Sequence, residues 1–246
     1  MINFIGQCTQ NLGKTLKYIF KGNLNWKNVL YQSAIIGFDS LGIALMIVFI
    51  AASVIALQVS NQFLLTGGES YIGGFLAVAL IREIAPGFAA LAIGARAGTA
   101  ITAEVANMQV TDQVDAMEVL GVDSVGYYFA PRFIASIVTV SLVVILAEFI
   151  GIMAGMLISY LTIGLHPNRY LASVWLMLTM KDLFVSILKG GIFGGIIAIV
   201  CSTVGYNTTG GAKAVGESTT ISAILCTMFL LLADLLIGFL FYMAGN

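Results

Sequence analysis

One segment of this sequence has no charged residue over a length that can cross a lipid bilayer. No Asp, Glu, Lys or Arg lies between Asp39 and Glu69, and the residues in that interval are mainly apolar. A transmembrane helix needs about 20 such residues to cross a hydrocarbon core about 30 Å thick. The surface of a soluble domain has no place for a segment of this kind, so it predicts a membrane-spanning helix.

The rest of the chain has the same character. Of the 246 residues, 59% are hydrophobic and 9% are charged, whereas a soluble domain contains about 25% charged residues. This composition excludes a cytosolic enzyme. We predict an all-α integral membrane protein in which residues 28–246 form one transmembrane domain with five spans. The spans cover approximately residues 33–68, 71–108, 129–165, 182–206 and 216–244.

Residues 1–27 are predicted to form an amphipathic helix that lies flat in the membrane interface. Apolar side chains recur at helical spacing, and polar side chains with several lysines fall mainly on the other side. The apolar positions are Ile5, Cys8, Leu12, Leu16, Ile19 and Phe20. Cys8, Gly13, Lys14 and Thr15 approach the pattern of a phosphate-binding loop. The pattern is one residue short and lies inside the predicted helix, so ATP would have to bind a separate subunit.

Other residue types exclude further classes of protein. The net charge of −1 excludes a generally basic nucleic-acid-binding protein. The cysteines Cys8, Cys201 and Cys226 are far apart in the sequence, and the single histidine is His166. We therefore expect no disulfide framework, no metal site and no cofactor.

The distribution of Lys and Arg in the short loops predicts the orientation of the chain. Arg169 and Lys181 lie on the side of the predicted membrane opposite to the N-terminus. The N-terminal side carries six basic residues, which are Lys14, Lys17, Lys21, Lys27, Arg132 and Lys213. This bias predicts a cytoplasmic N-terminus and, with five spans, a C-terminus on the far side of the membrane.

The second predicted span contains several charged residues. At about 100° per residue, Arg82, Arg96 and Glu104 fall within about 80° of one another on a helix, and Glu83 lies beside them. An ionised group at membrane depth costs on the order of 2.5–3.5 kcal/mol, so these groups should face protein or a watery cavity and pair with opposite charges. Two interpretations stay open: a polar cavity or gate between helices, and an Arg–Glu pair that only fixes packing.

Single charged residues lie in three other spans. Glu148 and Asp234 are isolated acids, and each is a candidate proton site, although a neutral or hydrogen-bonded carboxyl between helices is the simpler expectation. Lys189 is expected to extend its ammonium group to the outer headgroups. Close approach of helices is predicted at two glycine pairs, Gly94 with Gly98 and Gly151 with Gly155.

A short amphipathic helix is predicted after the second span, over residues 111–120. Thr111 suits its N-cap, Asp112 its positive end and Gly121 its C-terminal stop. The apolar stripe consists of Val110, Val114, Met117 and Leu120, and the acidic face of Asp112, Asp115 and Glu118. Because so short a helix is unstable alone and acidic side chains are unfavourable beside anionic lipid, we expect it to dock on a cytoplasmic protein partner.

Two longer segments carry a family resemblance. One is Ile81–Phe133, with the sequence IREIAPGFAALAIGARAGTAITAEVANMQVTDQVDAMEVLGVDSVGYYFAPRF. The other is Gly205–Leu225, with the sequence GYNTTGGAKAVGESTTISAIL. They resemble the signature region and the loop before the last span of the MlaE-type (YrbE/TGD-like) permeases, which belong to MCE-associated ABC lipid transporters. The similarity in layout covers essentially the whole chain.

The resemblance implies a homodimer in a bacterial inner (cytoplasmic) membrane, or in the chloroplast inner envelope if the chain is plastid-derived. It implies two copies of a cytoplasmic ABC ATPase, docked on the short helix through Thr111, Asp112, Asp115, Met117 and Glu118. An MCE-domain protein on the far, periplasmic side would exchange lipid with the permease, and a small STAS-type regulator is a further partner in such systems.

The resemblance also implies a lipid-binding site at the dimer interface. The matching positions are Ile55, Gln58, Arg82, Glu83 and Ile84. The predicted function is therefore that of a non-enzymatic permease subunit, which moves phospholipid while a separate ATPase hydrolyses ATP. Two alternatives stay open: a proton-coupled secondary carrier that uses Glu148, Asp234 or Glu104, and a purely structural membrane subunit.

Overall fold

A computed structural model describes residues 2–22 and 24–243. Every regular element in these residues is helical, and five of the helices are long and apolar enough to cross a membrane. The helices are α1 (Ile2–Phe20), α2 (Trp26–Thr66), α3 (Glu69–Val110), α4 (Gln113–Val119), α5 (Ser124–Ile163), α6 (Pro167–Met177), α7 (Met180–Tyr206) and α8 (Ala212–Met243). The prediction of an all-α membrane protein with five spans, here α2, α3, α5, α7 and α8, is confirmed.

The chain divides into two compact units, and each contains parts of all five long helices. The first unit comprises Met1–Ser40, Ile93–Val140 and Gly191–Ala233. The second unit comprises Leu41–Ala92, Ser141–Gly190 and Asp234–Asn246. Of the short helices, α1 and α4 belong to the first unit and α6 belongs to the second.

The first unit has an apolar cluster on which α1 packs. Its buried members are Val114, Val125, Tyr128, Phe129 and Ile199. Cys8 and Leu12 of α1 pack against it, and Asn11 Nδ2 donates to Thr203 Oγ1 at 3.1 Å. Part of the apolar face of α1 therefore contacts protein, while Ile5 and Phe20 are exposed. The placement of α1 in the membrane interface remains a prediction.

Close packing at the first glycine pair is confirmed within the first unit. A Cβ atom on Gly98 would lie 2.8 Å from Cys201 Sγ, and one on Gly94 would lie 3.2 Å from Cys226 Sγ. Real Cβ contacts are almost always longer than these, so larger residues at these positions of α3 would displace Cys201 on α7 and Cys226 on α8.

The core of the second unit lies where α6 packs on the start of α3. Gly74 N–H donates to Ser173 Oγ at 3.0 Å. Gly155 of α5 faces Tyr170 so closely that a Cβ atom would lie 2.6 Å from its hydroxyl oxygen, whereas one on Gly151 would make ordinary contacts at 3.4 Å, so close packing is confirmed at one member of the second glycine pair. The buried residues of this core are Ala56, Ile72, Leu76, Ala77, Leu165, Tyr170 and Val174.

Three π-helical turns interrupt α2 and α3 in the described part of the chain. They are Ala34–Phe38, Leu80–Ile84 and Gly94–Gly98. A π turn widens the helix by one residue and is frequent at functional sites. Two of these turns contain the arginines of the second span, Arg82 and Arg96. The π turns were not predicted from the sequence.

Candidate functional site

Arg82 and Asp182 form an ion pair within the second unit. Arg82 Nε donates to Asp182 Oδ1 at 2.6 Å. The other carboxylate oxygen of Asp182 accepts from Thr179 N–H at 3.0 Å and from Thr179 Oγ1 at 2.7 Å. Asp182 is fully buried, so these bonds replace the water that its charge would otherwise need.

The guanidinium group of Arg82 also lies over an aromatic ring at the end of α8. Its Cζ atom is 5.7 Å from the centre of the Phe241 ring, within the range of a cation–π interaction. The side chain of Arg82 nevertheless keeps 34% of its surface exposed. Arg82 is therefore held on one side and open on the other.

Lys189 lies at the centre of a second group of charges. Its Nζ donates to Glu83 Oε2 at 2.7 Å, to Asp234 Oδ1 at 2.8 Å and to the carbonyl oxygen of Arg82 at 2.7 Å. An ammonium group has three N–H bonds, so all of them are used. The expectation that Lys189 reaches the outer headgroups is wrong, because its side chain is 1% exposed and bound to acids from two other spans. Asp234 is accordingly not an isolated acid.

Two glycines bring the carboxylates of this group close to the neighbouring helix. A Cβ atom on Gly238 of α8 would lie 3.1 Å from Glu83 Oε1 of α3. Reciprocally, a Cβ atom on Gly87 of α3 would lie 3.3 Å from Asp234 Oδ2 of α8. The absence of side chains at these two positions allows α3 and α8 to approach with their acids facing Lys189.

Arg82 and Glu83 are adjacent in the π turn Leu80–Ile84 but have different partners. Arg82 bonds Asp182 and Glu83 bonds Lys189, which are seven residues or roughly 10 Å apart along α7. In a π turn a carbonyl group no longer accepts from the N–H four residues later in the chain. The carbonyl of Arg82 accepts instead from Lys189 Nζ. We call Arg82, Glu83, Asp182, Lys189 and Asp234 the charge cluster.

The charge cluster has a buried side and an open side. Asp182 and Lys189 have side-chain exposures of 0% and 1%, whereas those of Arg82 and Glu83 are 34% and 52%. If all five groups are ionised, two cations face three acids. The open side thus presents one cationic and one anionic group, each fixed by a buried partner.

The remaining predicted lipid-binding residues lie in apolar surroundings of the second unit. Ile84 is half-buried and packs against Ala52, Leu80 and Ala154. Ile55 is half-buried against the separate core that contains Ala56 and Tyr170, and Gln58 is exposed. The structure therefore joins Arg82 and Glu83 through Lys189, but it does not bring Ile55 and Ile84 into one apolar cluster.

Arg96 and Glu104, which were predicted to share one face with Arg82, have partners of their own in the first unit. In the first unit, Arg96 donates to Asp39 Oδ2 at 3.1 Å and to the carbonyl oxygen of Ile35 at 2.9 Å, both in α2. Glu104 instead pairs with Arg132 of α5 at 2.8 Å. The two π turns in α3 change its helical phase, so a projection at a constant angle per residue fails across them. The Arg–Glu pair within α3 is likewise not formed.

Helix α4 begins later than predicted. The expectation that Thr111 is its N-cap is wrong, because Thr111 Oγ1 donates back to the carbonyl oxygen of Asn107 at 2.8 Å. Asp112 precedes the first helical residue with a φ of 57° and no side-chain cap bond. Gly121 does stop the helix, with a φ of 75° and a bond from its N–H to the carbonyl oxygen of Glu118 at 2.9 Å.

The surfaces of α4 differ in part from the predicted apolar stripe and acidic face. Val114 is buried and Met117 packs on the cluster of the first unit, but Leu120 is 79% exposed because the helix ends before it. Glu118 accepts from Ser124 Oγ at 2.8 Å and from Tyr206 Oη at 3.0 Å. These two hydrogen bonds lower the pKa of Glu118 below its ordinary value. Asp112 and Asp115 stay exposed.

Two members of the charge cluster were noted in the sequence but not assigned to the lipid-binding site, and Asp182 was not singled out at all. The available signal was the same for all three: a charged residue inside or at the edge of an apolar span has to find a partner. Which acid faces which cation depends on how α3, α7 and α8 pack, and the sequence does not give that packing. The residues concerned are Asp182, Lys189 and Asp234.

The fold and the charge cluster together define a polytopic helical membrane protein with ion pairs between its spans. The chain belongs to the MlaE permease family, whose model, described as Permease MlaE, matches residues 29–240. The sequence resemblance is thereby confirmed.

Curated relatives match nearly the whole chain. A probable ABC transporter permease protein of Synechocystis is 34% identical over 94% of this chain and 88% of its own length. A probable ABC transporter permease protein of Rickettsia bellii is 34% identical over 98% of this chain and 97% of its own. The chloroplastic protein Trigalactosyldiacylglycerol 1 of Arabidopsis thaliana is 32% identical over 95% of this chain and 67% of its own. The chain is thus a multi-pass membrane subunit of the ABC transporter permease class.

Proposed function

We propose that this permease moves phospholipid between its own membrane and an MCE-domain partner, with ATP hydrolysed by a separate subunit. The observation that carries the proposal is the open side of the charge cluster. Arg82 and Glu83 are partly exposed there, while Asp182 and Lys189 hold them from the buried side. Such fixed charges at membrane depth suit a ligand that brings its own charge into an apolar setting.

Phosphate is the headgroup chemistry that Arg82 fits. Its hydrogen bond to Asp182 uses Nε, which leaves the terminal amino groups of the guanidinium for a second anion. Arginine pairs with phosphate through two parallel charge-assisted hydrogen bonds. Glu83 would then act as a gate, because its carboxylate competes with the phosphate for the cations of the cluster. A relative whose name is that of a galactolipid supports a lipid as the transported molecule.

The apolar parts of the lipid would meet the other predicted residues. Ile55 and Ile84 are half-buried, and Gln58, three residues after Ile55 on α2, is exposed. Ile55 and Ile84 would contact acyl chains, and the amide of Gln58 would bind the glycerol or ester groups. These three assignments come from the family resemblance.

The ATPase would dock on α4. Asp112 and Asp115 are exposed there, and Val119 and Leu120 are exposed apolar residues at the end of the helix, at 88% and 79%. An exposed apolar tip flanked by acids is suited to a protein groove with basic walls. Thr111, Met117 and Glu118 would act by holding α4 on the first unit.

Helix α8 would supply the surface for a second copy of the chain. In the most apolar stretch of α8, 11% of the stretch is buried within the protein, whereas the corresponding share is 28% to 56% in the other four long helices. The exposed apolar residues along it include Ile224, Met228, Leu231, Leu235 and Phe239.

We propose a homodimer with two ATPase copies on the cytoplasmic side, an MCE-domain protein on the far side and a STAS-type regulator as an additional partner. The membrane would be the bacterial inner membrane, or the chloroplast inner envelope, with a cytoplasmic N-terminus and a periplasmic C-terminus in the bacterial case.

The carrier alternative loses two of its three candidate proton sites. Asp234 is paired with Lys189, and Glu104 is paired with Arg132. Both acids are thus engaged in ion pairs between helices. The permease therefore remains the function that the site supports best.

The test is capture of lipid by a photo-crosslinking amino acid at Gln58 in the complete transporter in nanodiscs. Phospholipid should be captured there in the resting state, and less of it after ATP and the MCE-domain protein are added. A crosslinker at Leu142, an exposed residue of α5, measures capture of bulk lipid and should not respond to ATP. Equal responses at both positions would contradict the proposed site, and absence of an ATPase from the purified transporter would contradict the class of function.

A further inference from the structure

Glu148 of α5 is a buried carboxyl group that the charge cluster does not use. The residue is 3% exposed. Ser186 of α7 donates its hydroxyl group to Glu148 Oε1. Among the described residues, Glu148 has no other hydrogen-bond partner than this hydroxyl group. An ionised carboxylate can accept about four hydrogen bonds, so a single neutral donor leaves most of its capacity unfilled.

Lys181 of α7 and Arg169 of α6 are exposed, and the other charged groups on the segments of α7 and α3 beside Glu148 are engaged with one another. On α7, Asp182 is bound to Arg82 and Thr179, and Lys189 uses all three of its N–H bonds. On α3, Arg82 and Glu83 are the partners in those same bonds. On α2, residues 40–66 contain no ionisable side chain. On α6, the phenol of Tyr170 is buried and lies against Gly155 of α5.

Ionisation of Glu148 would therefore place an uncompensated negative charge between α5 and α7. The charge cluster already carries three acids against two cations, so it offers no surplus positive charge. Burial disfavours the charged form of a carboxyl group that has no cation beside it. A proton is the smallest ligand that removes the charge, and it also supplies a donor for a second hydrogen bond.

We propose that Glu148 is a proton-binding site within the membrane-spanning part of the protein. While the α5–α7 contact is closed, its carboxyl group holds a proton and is joined to Ser186 of α7. Release of the proton requires this contact to open to water, so movement of α5 against α7 and proton release are linked. This site lies outside the proposed lipid site and does not depend on which lipid is carried.

The test uses a hydrophobic carbodiimide on the full chain in lipid nanodiscs. The carboxylic acid gives its proton to a carbodiimide nitrogen while its oxygen bonds to the central carbon, and the resulting O-acylisourea rearranges to a stable N-acylurea. Because the proton is consumed, protonated acids react and ionised ones do not. Mass spectrometry should find the adduct on Glu148, and labelling should fall as the pH is raised from about 5 to about 9. Glu217, an exposed acid with 65% side-chain exposure, is the internal control and should stay unlabelled at neutral pH.

Two variants extend the test. Ser186→Ala removes a donor that favours the carboxylate, so labelling of Glu148 should persist to higher pH than in the wild type. Glu148→Gln keeps the size of the side chain and should abolish the adduct. Infrared spectra decide the matter if the reagent fails to enter, because a protonated carboxyl absorbs at higher frequency than a carboxylate. Loss of that band in Glu148→Gln would support the proposal. A wild-type minus Glu148→Gln difference that contains only carboxylate bands at neutral pH would overturn it.

Discussion

Lys189 and Glu83 are 106 residues apart in the sequence, yet their side chains are joined by a 2.7 Å hydrogen bond between a 1% exposed ammonium group and a 52% exposed carboxylate. The same ammonium group binds Asp234 and the backbone of Arg82. Lys189 is thus the buried centre that ties α7 to α3 and α8, and removing it should affect the fold before it affects transport.

Replacement of Lys189 by Met should lower the free energy of unfolding by about 3–5 kcal/mol, because Glu83 and Asp234 lose their shared cation. Thermal unfolding in detergent measures the loss. The matched control is Lys189→Met combined with Glu83→Gln and Asp234→Asn, which removes the charges together and should recover most of the stability. Equal unfolding temperatures for the single variant and the wild type would show that Lys189 is not a structural centre.

Gly238 should be intolerant of even a methyl group. Its Cβ would lie 3.1 Å from Glu83 Oε1, and Lys189 prevents that carboxylate from moving freely. Overpacking of this kind costs about 1–3 kcal/mol, which exceeds the gain of about 0.5–1 kcal/mol from replacing a helical glycine by alanine. Gly238→Ala should therefore lower the unfolding temperature.

Gly216 provides the control for Gly238 on the same helix. A Cβ atom there would meet nothing within 4 Å, so Gly216→Ala should be neutral or slightly stabilising. In the background of Glu83→Ala, which removes the obstructing carboxylate, the cost of Gly238→Ala should shrink. A cost that stays the same in both backgrounds would mean that Glu83 is not what Gly238 accommodates.

The sequence was sufficient for the spans but not for the pairing of their charges. The order of residues along the chain gives the long apolar segments and the excess of Lys and Arg on the N-terminal side. It also shows that Arg82 and Glu83, which lie inside an apolar segment, need partners. The actual partners were not predictable, because π turns change the phase of α3 and because Asp182 and Lys189 are brought to Arg82 and Glu83 by tertiary packing alone. Lys189 was misjudged for the same reason: a lysine can extend to the headgroups only if no acid lies nearer.

Arg82 offers a way to separate a packing role from a lipid-handling role. Arg82→Ala alone should destabilise the protein, because it leaves the fully buried Asp182 without its cation. Arg82→Ala with Asp182→Asn removes that charge and should restore folding and dimer assembly. If Arg82 binds a headgroup, the double variant should still lose lipid capture at Gln58 and lipid-stimulated ATPase activity. Wild-type capture and activity in the folded double variant would limit Arg82 to packing.

The exposed acids of α4 should control the attachment of the ATPase. Asp112→Lys with Asp115→Lys reverses two charges on the surface that faces the proposed basic groove, so the ATPase should no longer co-purify while the permease stays folded. Glu217→Lys, a reversal on an exposed site of α8, should leave the complex intact. Retention of the ATPase by the double variant at physiological salt would count against docking through this acidic surface.

Glu118 should act differently from the other two acids of α4, because its carboxylate is held by Ser124 and Tyr206. These two donors lower the pKa of Glu118 in the folded state. The ionised carboxylate therefore helps to hold α4 at any pH above the ordinary Glu pKa of about 4.3. This stabilisation is lost as the pH falls through the lowered pKa of the folded state. Neutral pH therefore keeps α4 in place, and Glu118→Gln should loosen it there by weakening both bonds. Hydrogen exchange of the α4 amides at neutral pH should be faster in Glu118→Gln than in the wild type, with Glu217→Gln unchanged, and the ATPase should still bind. If Glu118→Gln releases the ATPase without any change in exchange, Glu118 contacts the partner directly and the anchoring role is wrong.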